Sequence, residues 1–257
     1  MRILLTLALG LVTGVLSGMF GIGGAVVSTP GIRALGVEPL QAVGSTLPAM
    51  LPSAISGSLR YHREGLLVPR IIAWVAIVGT GAAIGASFLS HAVPGDGHWL
   101  MVATAGIIVY TAVRVGAIGS PDAPVLELAP AAWRDDGWRL AVCGVAAGGL
   151  SGLLGLGGGT ILVPAFLTWI RLPVKTTIAN SLAAVGLLAI PSTIAHAALG
   201  DIDWAVALTL AIAVVPGARI GANLAIRTSD RALRLSLAST LGVIAVVYAV
   251  RELTFVV

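Results

Sequence analysis

Apolar residues run through most of this chain without the strict alternation of a half-buried strand or the narrow stripe of a soluble amphipathic helix. They fall into ten segments separated by short polar, glycine-bearing or proline-bearing breaks: residues 3–20, 22–35, 41–59, 69–90 and 99–115, then 138–154, 156–170, 176–199, 203–226 and 233–250. A helix that crosses a bilayer needs about 20 mostly apolar residues, and several segments meet or approach that length. The pattern predicts an all-α polytopic membrane protein, with a multi-pass chain in contact with the lipid bilayer.

The two sets of five segments are copies of each other. Residues 14–30 read GVLSGMFGIGGAVVSTP and residues 148–164 read GGLSGLLGLGGGTILVP, sharing Leu-Ser-Gly, three later glycines and the final proline at one spacing. The likeness persists late into each half, where residues 80–86, TGAAIGA, match residues 216–222, PGARIGA. Residues 1–119 therefore read as a first membrane repeat, 120–136, with three prolines and four acids, as a linker, and 137–257 as a second repeat. The repeat also decides the start of the chain. Arg2 and the apolar run behind it resemble a secretory signal, yet their counterpart begins near Arg139, so the run is expected to be retained.

Charge supplies orientation. Only 10% of residues are charged against 57% apolar. Arg60, Arg63, Arg70, Arg114, Arg134, Arg139, Arg171, Lys175, Arg227, Arg231 and Arg234 fall on one side of the expected spans, which identifies the cytoplasm; Arg2, Arg33 and Arg251 fall opposite. Equivalent loops of the two halves, 60–70 and 196–203, then lie on opposite sides, so the fold class expected is two inverted-topology repeats of five segments each. Inversion requires an odd number of crossings per half. Five spans satisfy it, and so do three spans plus a re-entrant hairpin of the first two segments.

Several functions are excluded. The net charge of +4 is spread without a basic patch, which gives no nucleic-acid partner. Cys143 is the only cysteine, and no Ser/His/Asp or Cys/His arrangement stands out. His62, His91 and His98 lack metal-ligand spacing, so neither an enzyme, a metal nor a cofactor is expected. The tryptophans lie near segment ends or in the linker, as an interfacial belt does. All eleven acids lie in loops or at segment ends, and a membrane interior without carboxylates suits an anionic substrate better than a cation.

The glycine clusters are the leading candidates. In each repeat an apolar run stops at glycines and resumes, which predicts broken or re-entrant helices, and broken helices at matching places of two halves point to a transporter binding site. Gly23, Gly24, Gly157, Gly158 and Gly159 would present free N–H groups and the positive end of a helix dipole to an anion; close helix packing is the rival use. Ser45, Thr46, Asn180 and Ser181 stand at equivalent places early in each third segment and could donate to oxyanion oxygens or bond between helices. Arg219 lies inside a segment without an acid to neutralise it, and either faces substrate or snorkels. His196, near the outer end of its segment, is the candidate for proton coupling.

The duplicated LSGxxGxGG, at residues 16–24 with Pro30 and at 150–158 with Pro164, resembles the sulfite exporter TauE/SafE family. Gly-Ser-Thr-Leu at 44–47, Ala-Asn-Ser-Leu at 179–182 and Gly-Asp-Ile-Asp-Trp at 200–204 also match its pattern, over essentially the whole chain. What the resemblance implies is a bacterial inner-membrane permease exporting sulfite, sulfoacetate or a related small sulfur oxyanion, with the glycine clusters and the Ser/Thr/Asn pairs along the substrate path. A secondary transporter working by alternating access is the reading. A passive anion channel and a non-transporting membrane scaffold remain alternatives, and the chain is compatible with a homo-oligomer.

Overall fold

The computed structural model describes residues 2–93, 98–117 and 137–256; the expected linker and the loop around Asp96 lie outside them. The described residues form ten α-helices: α1 (Arg2–Phe20), α2 (Ala25–Ala34), α3 (Pro39–His62), α4 (Pro69–Ser90), α5 (His98–Ala117), α6 (Gly137–Leu154), α7 (Gly159–Thr168), α8 (Val174–Leu199), α9 (Trp204–Arg227) and α10 (Asp230–Val256). Their limits follow local chemistry. Pro39 and Pro69 open α3 and α4, where the missing N–H is no loss. The Asp203 carboxylate accepts from the Ala205 and Val206 N–H groups to start α9, and Gly200, at φ +81°, ends α8.

Among the described residues five helices, α1, α4, α6, α8 and α9, are long and apolar enough to cross a membrane. Burial is arranged for lipid. Leu4, Ile77 and Ile212 point outward with 71–75% of their surface exposed, whereas Ser17, Ser45, Thr177, Ser181 and Ser192 are fully buried. Lipid offers no reward for hiding aliphatic groups, so close packing and internal hydrogen bonds hold the helices together.

Glycine sets that packing. Gly14 and Gly18 on α1 lie against the backbone of Val214 and Ala218 on α9, while Gly148 and Gly152 on α6 lie against Gly79 and Ala83 on α4. In both pairs the residue numbers rise together, so the helices run parallel at backbone contact. These contacts correct one detail of the sequence matching. They pair Gly79 with Val214 and Ala83 with Ala218, one residue out of step with the TGAAIGA–PGARIGA match, because small residues recur at both registers.

Between the two parallel pairs, α3 and α8 cross antiparallel, with Ala54 against Gly186 and Gly57 against Leu182. Each of the first two helices of a half forms a hairpin. Gly24 stands against Thr13 and Ser17 and Gly31 against Leu9, so α2 returns alongside α1 to the end from which α1 came; Gly158 against Ala147 begins the same return of α7 along α6.

Basic residues gather at one end of the bundle. Arg60, near the end of α3, donates to Asn223 Oδ1 near the end of α9, and Lys175, at the start of α8, donates to the Ile226 carbonyl at 2.8 Å. Trp138 and Trp169 meet there with ring centroids 6.2 Å apart, as an interfacial belt requires.

Candidate functional site

The breaks between α1 and α2 and between α6 and α7 have the same backbone. Gly21, Gly23 and Gly24 lie at φ +70°, +86° and +74°, and Gly155, Gly157 and Gly158 at +63°, +75° and +70°. Only glycine holds this left-handed region without a steric penalty, which is why a bilayer-spanning apolar run stops here. After the turn, the N–H groups of Ile22, Gly23 and Gly24, and those of Leu156, Gly157 and Gly158, have no acceptor among the described residues. The N-termini of α2 and α7 add the positive ends of their dipoles.

The two breaks meet. Gly23 lies against the Leu156 carbonyl and Gly157, and Gly159 lies against Gly21 and Ile22. Met50 and Val185 flank the junction; each is the twelfth residue of its helix, α3 having 24 residues and α8 having 26. The half-helices therefore point at each other halfway along the central helix pair, where unpaired backbone is tolerated only beside protein or water.

A small polar cavity opens on the first break. It is lined by Thr13, Gly23, Ser28, Thr46 and Ser53, with Ala49, Met50, Leu210 and Val214, and its volume is about 10 Å³. That is room for roughly one water, so this conformer is closed. Thr13 is 5% exposed and its Oγ1 has no hydrogen-bond partner. Ser53 donates to Ser17 Oγ at 3.2 Å, Ser28 to the Gly24 carbonyl at 3.3 Å and Thr46 to the Val43 carbonyl at 2.8 Å. At the places equivalent to Thr13, Ser28 and Ser53 the second half has Ala147, Leu162 and Leu188. Three of the four lining hydroxyls belong to one half only; the fourth, Thr46, has Ser181 as its counterpart. A larger cavity, about 670 Å³, is an apolar furrow between α4 and α8 lined by residues such as Ile77, Phe88, Ile190 and Ile194.

The residues expected to bind substrate divide into groups. Gly23, Gly24, Gly157, Gly158, Gly159 and Thr46 gather at the junction. Ser181 ties α8 to the first break, donating to the Gly21 carbonyl at 2.8 Å. Ser45 and Asn180 instead hold loops of the opposite half: Ser45 Oγ accepts from the Asp203 N–H at 2.8 Å, and Asn180 accepts from Val68 N–H at 2.7 Å and donates to the Leu66 carbonyl at 3.0 Å. Arg219 lies away from the junction. It is five residues beyond Val214, hence about 7 Å further along α9 and about 140° around it. There it lines a cleft of about 160 Å³ with Ser56, Leu59, Arg60 and Arg63 at the basic end. Glu64 pairs with Arg60 at 2.6 Å; Arg63 and Arg219 have no partner among the described residues.

Comparison with known proteins settles the family. The family model described as sulfite exporter TauE/SafE matches residues 6–248. The chain belongs to the TauE/SafE family. This TauE/SafE chain is 25% identical over 233 residues to a probable membrane transporter protein of Xylella fastidiosa, covering 88% of this chain and 86% of the relative. It is 25% identical to the probable membrane transporter protein YunE of Bacillus subtilis, over 87% of each chain, and 26% identical to YjnA of the same organism, over 90% of this chain and 93% of the relative. No solved structure matches it significantly. The protein is a multi-pass membrane protein of a transporter family.

Sequence reasoning missed Thr13, Ser28 and Ser53. One signal was present: these hydroxyls interrupt helix faces that are aliphatic at the equivalent places of the second repeat, and comparing the repeats for differences rather than likeness exposes them.

Proposed function

We propose that the chain is a secondary transporter of sulfite or a related small sulfur oxyanion, seated where the N-termini of α2 and α7 meet. One observation carries this reading: two half-helices, each with three free N–H groups, converge beside an unpartnered buried hydroxyl. Such a site supplies hydrogen-bond donors and partial positive charge without a fixed cation, and Thr13, Ser28, Thr46 and Ser53 add donors on one side. The name of the family gives the sulfur oxyanion class.

Alternating access by inverted repeats is supported by the antiparallel crossing of α3 and α8, helices that the repeat makes equivalent. With the basic end cytoplasmic, Arg60, Arg63 and Arg219 form a funnel that concentrates anions on the side from which an exporter loads. The closed cavity must widen severalfold to admit the substrate, and relative movement of the α1–α2 hairpin and α3 would do so.

The test is uptake of radiolabelled sulfite into proteoliposomes, with sulfate and sulfoacetate as competitors. Saturable flux that is lost in Gly23→Ala and weakened in Thr13→Val supports the reading. Flux that is linear in concentration would indicate a channel, and none from folded protein would remove the sulfur oxyanion class.

A further inference from the structure

The two halves differ at a second equivalent pair, at the end of the central helices. Tyr61 near the end of α3 donates its hydroxyl to the Gly18 carbonyl at 2.6 Å. Its counterpart near the end of α8 is His196, whose Nε2 lies 2.9 Å from the Gly152 carbonyl, Gly152 being the counterpart of Gly18. The same tie, from the end of a central helix to the last turn before a glycine break, is made by a phenol in one half and by an imidazole in the other.

The imidazole has a second bond. His196 Nδ1 lies 2.7 Å from Asp201 Oδ2, and Asp201 is also met by His91 Nε2, at 2.9 and 3.1 Å from its two oxygens. A carbonyl oxygen only accepts, so Nε2 must carry a proton. The 2.7 Å contact with Asp201 needs another, on Nδ1 or on the carboxyl. The His196–Asp201 pair thus holds two protons here. Removing one leaves a lone pair facing either Gly152 O or Asp201 Oδ2, and one of the two ties opens.

Exposure is graded along this chain of groups: the side chain of His91 is 38% exposed, that of Asp201 7% and that of His196 0%. No other charged group competes for them among the described residues. On the α8–α9 loop, Asp203 is engaged as the α9 cap; α6 contributes only the Gly152 carbonyl, and the start of α3 contributes Gly44, packed against the Asp201 backbone. Among the described residues no Lys or Arg pairs with Asp201.

The geometry points to His196 and Asp201, reached through His91, as the proton-binding site that couples transport to a pH gradient. The inference rests on the transport reading above. The proton enters from the end opposite Arg60, Arg63 and Arg219, and its binding fastens α8 and the α8–α9 loop to α6 just before the second break. Its release frees that end alone, because Tyr61 at the other end keeps its proton.

Two measurements test it. In substrate-free protein labelled with ¹⁵N-histidine, the His196 signals, assigned with His196→Gln, should show a proton on Nε2 and a second proton that leaves the pair reversibly as pH rises. A bare Nε2, or a ring that never titrates, overturns the proposal. In proteoliposomes, sulfite accumulation driven by a pH gradient is compared with sulfite–sulfite exchange, which needs no net proton transfer. The ratio of accumulation to exchange should fall at least tenfold in His196→Gln, Asp201→Asn and His196→Tyr, the last borrowing the residue of the first half. A ratio unchanged in all three overturns the proposal while leaving transport standing. No flux in the wild type, with a His196 that titrates as described, upholds the proton site and removes the transport reading instead.

Discussion

Replacing Thr13 by valine separates binding from folding, because the substitution keeps the shape and removes only a hydroxyl. In the closed conformer Thr13 Oγ1 is buried without a partner. An unsatisfied buried polar group costs about 1–3 kcal/mol, and replacing it by an apolar isostere removes that cost. Thermal stability without substrate should therefore hold or rise; at about 2–4 °C per kcal/mol for a chain of this size, the rise is at most roughly 10 °C. Substrate binding should move the other way. A hydrogen bond to a charged oxygen contributes about 1.5–3 kcal/mol, so its loss weakens affinity between about tenfold and 150-fold. The assay is thermal unfolding in detergent across a sulfite titration, which reads intrinsic stability at zero ligand and affinity from the ligand-dependent shift. A variant that is destabilised without ligand, or that binds sulfite as the wild type does, refutes the assignment of Thr13 to the oxyanion.

Gly23→Ala places a side chain at φ +86° with its Cβ 2.7 Å from Val185 Cγ1; strain of about 1–2 kcal/mol from the backbone alone and the clash together should abolish flux measured in proteoliposomes. Asn180→Ala leaves Val68 N–H and Leu66 C=O unpaired, so the thermal midpoint should fall by roughly 5–10 °C while sulfite affinity in the surviving folded protein changes less than twofold. Arg219→Ala should raise the KM for cytoplasmic-side sulfite a few-fold with little change in kcat, and the difference should shrink at high salt, as expected for steering. Burial pulls the Asp201 carboxyl up, but hydrogen bonds from His196 and His91 and their charge outweigh it and hold the group below its ordinary range. Its contribution to stability is thus present above about pH 4 and lost as pH falls through the lowered value. Asp201→Asn should be less stable than wild type at neutral pH, and the gap should close on acidification below pH 4 in thermal melts.

The fold was readable because bilayers constrain sequence harshly. Segment length, the duplicated LSGxxGxGG and the one-sided arginines lead to the helices, the two glycine breaks and the basic end. The choice between five spans and a hairpin was not readable, since α2 and α7, at ten residues each, are equally short under either. What tertiary contacts such as Gly31 against Leu9 add is the direction of α2, which returns alongside α1. At the site, the glycines announced themselves through positive φ, which no other residue tolerates cheaply. The bonds of Ser45 and Asn180 were not readable because a buried hydroxyl or amide bonds backbone as readily as ligand, and their partners come from loops more than 110 residues away. For Arg219 the depth along α9 could be counted, but the side of the helix on which it emerges, toward Arg60 and Arg63, could not.

The parallel glycine-lined pairs carry a consequence for the order in which the chain can be assembled. α1 finds its partner α9 in the other half, and α4 finds α6, so neither half can complete its own closest contacts. A chain cut between α5 and α6 would leave the glycine grooves of α1 and α6 without the helices that fill them, so the tightest packing forms only once both parts of the chain are present.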